Sequence, residues 1–147
     1  MQHLNWPMIT VPPAIAFSKI KKIGIACDLD EVEKKMPVEA VTRLVKDFNA
    51  ELHILNTGNE KTYDPDIIFE AGEVHRLLKD LKPVFHLIAH DNEDEGTLEF
   101  AEKNQIDLLV VVPGKHGFFE RLTHKSHTRQ FVLHSYVPVM AIHHANN

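Results

Sequence analysis

The stretch that decides the fold is residues 107–117, which read Asp-Leu-Leu-Val-Val-Val-Pro-Gly-Lys-His-Gly. Positions 108–112 are continuously apolar, and such a run is typical of a strand covered on both faces, as in a parallel sheet. A turn that contains two glycines follows at once. The stretch therefore predicts a buried parallel strand that ends in a tight loop.

Similar apolar, β-branched runs lie on both sides of this strand along the chain, at 20–27, 51–56, 83–89 and 137–142. Apolar residues recur at the helical period between the runs, within 38–48, 67–81, 98–106 and 126–135. Strands that alternate with helices predict an α/β fold. We expect a three-layer sandwich, in which a five-stranded parallel sheet carries helices on both faces.

Open sheets of this kind bind ligands beyond the carboxyl ends of their strands, at the point where the strand order reverses. Residues 27–30 follow the first predicted strand, and residues 113–117 follow the fourth. We expect these two loops to meet at one cleft and to form the functional site.

The first eighteen residues do not follow the alternation of strands and helices. Residues 6–11 are similar to 137–142, because each segment has a proline followed by alternating apolar residues. We interpret 1–18 as the terminal strand and linker of a preceding domain, and 19–147 as the domain itself. The alternative is an arm of this same domain. An exposed edge strand invites pairing, so we expect residues 8–11, or the same strand of a second molecule, to cover 137–142.

Composition excludes several classes of protein. The net charge of −5 argues against a general nucleic-acid-binding role, which needs a basic excess. No apolar run approaches the roughly 18 residues of a membrane-spanning helix, so we expect no membrane partner. The N-terminus lacks the pattern of a secretory signal, and the single cysteine, Cys27, cannot form an internal disulfide. These features predict a cytoplasmic protein.

Four segments, taken in order, resemble the universal stress protein family: 22–28, 50–55, 107–117 and 137–140. The resemblance covers about residues 20–144. It implies a Rossmann-like sheet related to the adenine nucleotide alpha hydrolases, and a role in the stress response. Tandem copies are common in this family, which fits the interpretation of residues 1–18 as part of a preceding domain.

The family resemblance also points to a nucleotide site with a defect. Members that bind ATP carry Gly-x2-Gly-x9-Gly-(Ser/Thr) after the fourth strand, where glycines let backbone N–H groups approach the phosphates. Gly114 and Gly117 match the first two glycines. The third is absent: strict counting places His127 there, whereas alignment on the following helix places Lys125 there and shortens the loop by two residues. We expect a degenerate site in which Lys125 supplies a point charge.

The same resemblance assigns the other site residues. Ala26, Cys27 and Asp28 would line the adenine or ribose end, and Thr57 would offer backbone groups to adenine. Gly114, Gly117, Lys125 and Ser126 would meet the phosphates. The residues alone also allow simpler roles: Asp28 in a turn, the glycines in a tight loop, and Ser126 as the N-cap of the last helix. ATP or AMP is therefore an open alternative as ligand, with no cofactor certain.

No nucleophile lies beside a base in a recognisable motif, so the sequence predicts a protein that is not an enzyme. Cys27 precedes Asp28, whose charge should raise the pKa of the thiol. The leading prediction is a regulatory module that pairs as a homodimer or as a pseudo-dimer with a second universal stress protein domain. Two alternatives stay open: a functional ATP or AMP switch, and a metal-binding module built from His116, His124 and His127.

Overall fold

The computed structural model describes residues 8–13, 15–16, 19–58, 65–112 and 118–142. The strands are β1 (Met8–Thr10), β2 (Lys22–Ala26), β3 (Glu51–Gly58), β4 (Val84–Ala89), β5 (Leu108–Val111) and β6 (Val139–Ala141). The helices are α1 (Val32–Lys35), α2 (Val38–Phe48), α3 (Pro65–Leu78), α4 (Glu93–Lys103), α5 (Phe118–His124) and α6 (Ser126–His134). A 3₁₀ turn, Lys79–Leu81, follows α3.

The described strands form one sheet in the order β1-β6-β5-β2-β3-β4. Strands β2 to β6 are parallel, and the strand order reverses at β2, which lies between β5 and β3. β1 runs antiparallel to β6, with Met8 opposite Ala141 and Thr10 opposite Val139. The predicted parallel sheet with an added N-terminal strand is confirmed. Residues 8–10 also cover the β6 edge, as expected, although their origin in a preceding domain stays a prediction.

Helices cover both faces of the sheet, which confirms the three-layer prediction. Side chains of α1, α2 and α3 pack on one face, and side chains of α4, α5 and α6 pack on the other. β5 shows why its sequence is continuously apolar, because Leu108 and Val110 face the first layer while Leu109 and Val111 face the second. Burying a side chain of this size contributes about 1.5–3 kcal/mol, so this strand is the centre of both cores.

Two helices were missed by the sequence analysis. The first is α1, a single turn that is too short to show a helical period. Leu29 and Glu31, which precede it, have left-handed backbone with φ of 51° and 47°. That conformation costs roughly 1–2 kcal/mol for a residue other than glycine. The side chain of Leu29 is buried and Glu70 of α3 accepts a hydrogen bond from the Val32 N–H at 2.9 Å, so the core holds this loop in place.

The second missed helix is α5, which lies between the predicted tight loop at 113–117 and the predicted helix at 126–135. Phe118 and Leu122, one turn apart, are buried in the core beneath it. α4 begins at Glu93, five residues before the apolar pattern predicted at 98–106, and the acidic residues 93–95 occupy its first turn, where they interact favourably with the helix dipole. Asn92 is the N-cap there, and its side chain accepts hydrogen bonds from the N–H groups of Asp94 and Glu95.

A pair of histidines lies between β3, β4 and α4. His53 Nδ1 is 2.9 Å from His86 Nε2, and the two rings stack with centroids 5.2 Å apart. Phe100 of α4 contacts the His86 ring at a centroid distance of 4.8 Å. His53 Nε2 is 3.4 Å from the Glu51 carboxylate. Burial, together with the charges of His53 and Lys22, lowers the pKa of His86.

Candidate functional site

A cleft of about 130 Å³ opens at the carboxyl ends of the parallel strands. The loop after β2, the end of β3, the first turn of α4 and helix α5 all contribute residues to its walls. Four of the predicted site residues line it, namely Ala26, Cys27, Asp28 and Thr57. The cleft therefore lies where the reversal of strand order predicts it.

The floor of the cleft is fixed by hydrogen bonds between β2 and β3. The Cys27 N–H donates to the Leu55 carbonyl at 2.9 Å, and Asn56 Nδ2 donates to the Cys27 carbonyl at the same distance. Asn56 also lines the cleft and was missed, although a polar residue near the end of an apolar strand was a visible signal. Because the Cys27 backbone is bonded on both sides, the position of Asp28 is well defined.

Cys27 is not a reactive thiol in this setting. Burial is the main cause that raises the pKa of the Cys27 thiol to about 12; the charges of Asp28 and Glu70 also raise it, while a hydrogen bond with the Leu29 backbone lowers it. The predicted direction is confirmed, but burial rather than Asp28 is its main cause. A thiol with so high a pKa stays protonated and is a poor nucleophile at neutral pH.

Carboxylates dominate the wall that follows β2. Asp28 and Asp30 both line the cleft, and Lys35 of α1 pairs with Asp30. Desolvation in the cleft raises the pKa of Asp28, while the nearby charges of Lys35 and Arg121 act in the opposite direction. Asp28 is thus the carboxylate that is both desolvated and close to the cation on the opposite wall.

Hydroxyl groups link the ends of β3 and α4. Thr57 Oγ1 lies 2.8 Å from Thr97 Oγ1, and the Thr97 hydroxyl donates to the Glu93 carbonyl at 2.7 Å. The Thr57 side chain is therefore engaged with α4. This leaves the backbone of Thr57 as the part that fits the role implied by the family resemblance.

One of the cations that line the cleft is Arg121 of α5. Its segment, residues 114–129, carries four basic residues against one acidic residue, a local excess that indicates an anion site or a solvated helix face. Arg121 Nε donates to Asp94 Oδ1 at 2.8 Å and Oδ2 at 2.9 Å, and Nη2 lies 2.7 Å from Oδ1. Nη2 is also 3.3 Å from Glu93 Oε2. Burial alone would lower the pKa of Arg121, but Asp94, Glu93 and Asp28 raise it overall. Arg121 therefore stays charged and is held across the cleft from Asp28.

The structure describes only some of the predicted phosphate-binding residues. Gly114 and Gly117 lie outside the described residues. Lys125 is exposed and does not line the cleft. The expectation that Ser126 caps the last helix is wrong, because Lys125 occupies the N-cap position with extended backbone and α6 begins at Ser126. In the described part of the chain, Arg121 and Lys35, rather than Lys125, are the cations that line the cleft.

The metal-binding alternative falls largely outside the described structure. His116 is not described, nor is the side chain of His127, whereas His124 is exposed at the end of α5. Within the described residues, no three His, Cys, Asp or Glu side chains are arranged to hold a metal ion. In that same part of the chain, no helix combines the length and the apolar character needed to cross a bilayer.

The architecture is that of a Rossmann-like α/β domain with a cleft at the carboxyl ends of its strands, and comparison with known proteins assigns the family. The model of the universal stress protein family matches residues 19–143. The chain therefore belongs to the universal stress protein family. A search of curated protein sequences found no match.

Solved structures of the same family share the fold at low sequence identity. A universal stress protein in complex with cAMP has a TM-score of 0.65 and 16% identity over 87% of this chain and 100% of its own. A universal stress protein from Archaeoglobus fulgidus DSM 4304 has a TM-score of 0.63 and 16% identity over 95% of this chain, which spans 50% of that protein. A Burkholderia pseudomallei family member has a TM-score of 0.53 and 22% identity, covering 86% of this chain and 98% of its own.

Proposed function

We propose that this chain is a non-catalytic regulatory domain of the stress response, whose cleft binds an adenine nucleotide weakly. The observation that carries the proposal is the cleft itself, in which Ala26, Cys27, Asp28 and Thr57 converge opposite Arg121. A domain of this kind acts through occupancy and pairing, because a protonated Cys27 offers no nucleophile for turnover. The cAMP complex of a structural relative supports a nucleotide as the class of ligand.

Weak rather than tight binding follows from the charges around the cleft. Asp28, Asp30 and Glu93 line it, and they repel phosphate groups. Arg121 is already bonded to Asp94, so a ligand has to compete for it. The missing third glycine of the ATP-binding pattern acts in the same direction, because it removes close backbone contacts with phosphates.

Calorimetry and NMR titration with AMP and with ATP plus Mg²⁺ test this proposal. We expect affinities in the micromolar to millimolar range, with amide shift changes at Cys27, Asp28 and Thr57. Amides at the opposite end of the sheet, such as Lys22 and Leu108, serve as the internal control and should not move. Absence of both heat and shift changes at millimolar nucleotide would contradict the proposal, and nanomolar ATP binding would favour the switch alternative.

We also propose that the β6 edge is the surface through which the domain pairs with a second universal stress protein domain. β1 covers that edge with an antiparallel ladder of only three residues, so the contact is small enough to exchange. Support comes from the Archaeoglobus relative, of which this chain spans half. In this proposal β1 stands where the terminal strand of a paired domain would lie.

Proline substitutions in β1 test the pairing. Neighbouring residues of an antiparallel strand point their N–H groups alternately towards and away from the partner strand. One of Ile9→Pro and Thr10→Pro therefore removes a ladder hydrogen bond to β6, and the other is its matched control. We expect the disruptive variant to dimerise at lower concentration in sedimentation velocity. If both variants have the same sedimenting mass as the unmodified chain at every concentration, the β6 edge is not the pairing surface.

A further inference from the structure

Arg121 and Asp94 form a contact that bears directly on ligand choice in the cleft. Asp94 is 5% exposed and lies in the first turn of α4, whereas Arg121 comes from α5 and lines the cleft. The guanidinium engages both Asp94 oxygens through Nε and Nη2, in the side-on geometry that arginine also uses to bind phosphate. Asp94 thus places a carboxylate against the group best suited to bind a phosphate.

The charges around the cleft limit how much negative charge a bound ligand can carry. Of the charged residues described at the cleft, Asp28, Asp30 and Glu93 are acidic, while Lys35 and Arg121 are basic. Lys35 is paired with Asp30, and Glu93 itself approaches Arg121. A triphosphate would bring several negative charges towards three carboxylates, whereas a single phosphate needs little more than the guanidinium.

The size of the cleft limits how much of a ligand it can enclose. Its volume of about 130 Å³ is small beside the roughly 300–1,000 Å³ of pockets that enclose a drug-sized ligand. A cleft of this size encloses only part of any nucleotide, so the preference for one phosphate group follows from the charges around the cleft.

We infer that Arg121 is the phosphate-recognising residue of this cleft, that Asp94 competes with the ligand for it, and that the cleft selects nucleotides with one phosphate over triphosphates. The inference rests on the proposed function, since it specifies the ligand class of the same site. Asp94 then sets the affinity, because every ligand that reaches Arg121 must displace part of an existing ion pair.

The decisive measurement compares AMP, ATP and adenosine by calorimetry at one ionic strength, in the unmodified chain and in Asp94→Asn. The substitution keeps the shape of Asp94 and removes its charge. We expect AMP affinity to rise by about tenfold or more, since the guanidinium then makes its charged hydrogen bonds to the phosphate. Adenosine affinity should not change, because adenosine carries no phosphate. AMP should bind more tightly than ATP in the unmodified chain.

Matched variants guard against a purely structural effect. Arg121→Gln should lower AMP affinity to that of adenosine, whereas Arg129→Gln, an exposed arginine of α6 outside the cleft, should change nothing. Circular dichroism establishes that each variant is folded. If Asp94→Asn does not fold, Glu93→Gln removes the more exposed partner of Arg121 and should raise AMP affinity by roughly two- to threefold.

The outcomes separate this inference from the proposed function. Nucleotide binding that is equal in the unmodified chain and in the folded Asp94 or Glu93 variant overturns the inference and leaves the proposed function standing. ATP binding that is tighter than AMP binding in the unmodified chain overturns it as well. If no nucleotide or nucleoside binds any form, the proposed function fails, and the inference fails with it.

Discussion

Two partly buried polar pairs lie along helix α4, and they respond to charge in opposite ways. At its first turn, Asp94 meets Arg121 in an ion pair with two hydrogen-bonded oxygens. Further along, Phe100 packs against His86, which is hydrogen-bonded to His53. The first pair is stable only while both members are charged. The second needs at least one neutral ring, since two imidazolium ions have no acceptor nitrogen to share.

Helix α4 therefore takes part in one contact that does not depend on pH in the physiological range and in another that does. An arginine paired with a carboxylate keeps its charge across the physiological range. Histidine changes charge between pH 5 and 8, and the lowered pKa of His86 keeps that ring neutral at neutral pH. We therefore expect the cleft end of α4 to hold its position as the pH falls, while the contact with β4 weakens.

Breaking the ion pair should have the largest effect on stability. Arg121→Gln leaves the Asp94 carboxylate buried without its cation, and removal of one partner from such a pair costs about 3–5 kcal/mol. Urea unfolding at pH 7 measures the change. Arg43→Gln is the control, because Arg43 and Asp47 are 3.9 Å apart and both exposed, so the loss should stay within about 0.5 kcal/mol. Equal losses in the two variants would show that burial adds nothing to the Arg121 contact.

A side chain added at Gly96 should push α4 away from the sheet and disturb the ion pair at its first turn. The expected loss of stability is intermediate in size. A Cβ at Gly96 would lie 2.5 Å from His90 Cβ and 2.9 Å from Thr57 Cγ2. Gly96→Ala should therefore destabilise the protein by roughly 1–3 kcal/mol. The matched change Gly72→Ala meets nothing within 4 Å on α3, and should stabilise it by about 0.5–1 kcal/mol. Unfolding curves that shift in the same direction for both glycines would contradict the close packing of α4.

Acid should have the smallest effect on stability, and of the two pairs it should weaken only the histidine pair. The pKa of His86 is lower in the folded protein than in the unfolded chain, so its contribution is fully present above the unfolded pKa and is lost as the pH falls through the folded value. We expect a loss on the order of 1 kcal/mol between pH 7 and pH 5, about the net contribution of one hydrogen bond.

The variant His86→Phe tests whether the pair is the source of that acid sensitivity. Phenylalanine keeps the ring contact with Phe100 but does not titrate, so the dependence of unfolding free energy on pH should become flatter. His75→Gln, an exposed histidine of α3, is the control and should keep the original slope. A slope that falls equally in both variants would assign the sensitivity to histidines in general.

Much of the fold was predictable because its signals are local. The apolar run that became β5, and the segment that became β1 along β6, each show their role in a few consecutive residues. The cleft position followed from topology, and Ala26, Cys27, Asp28 and Thr57 were assigned to it by resemblance to a family. Local sequence patterns and the strand order were therefore sufficient to predict the location of the site.

The rest depended on contacts between distant residues. Asp94 and Arg121 are 27 positions apart, and only the packing of α4 beside α5 brings them together. The same is true of His53 and His86, which meet because β3 and β4 are neighbours. Lys125 was preferred over Arg121 because alignment of a sequence motif cannot tell which face of the next helix points towards the cleft.

The left-handed backbone at Leu29 has a consequence for how the cleft can evolve. Asp28 and Asp30 flank this residue, so a side chain in the core decides the course of the chain that carries both carboxylates. Replacement of Leu29 by a β-branched residue would add steric strain at that backbone geometry. The resulting change in the backbone would alter the positions of both aspartate side chains. The placement of acidic groups in the cleft can therefore change through a residue that does not itself line the cleft.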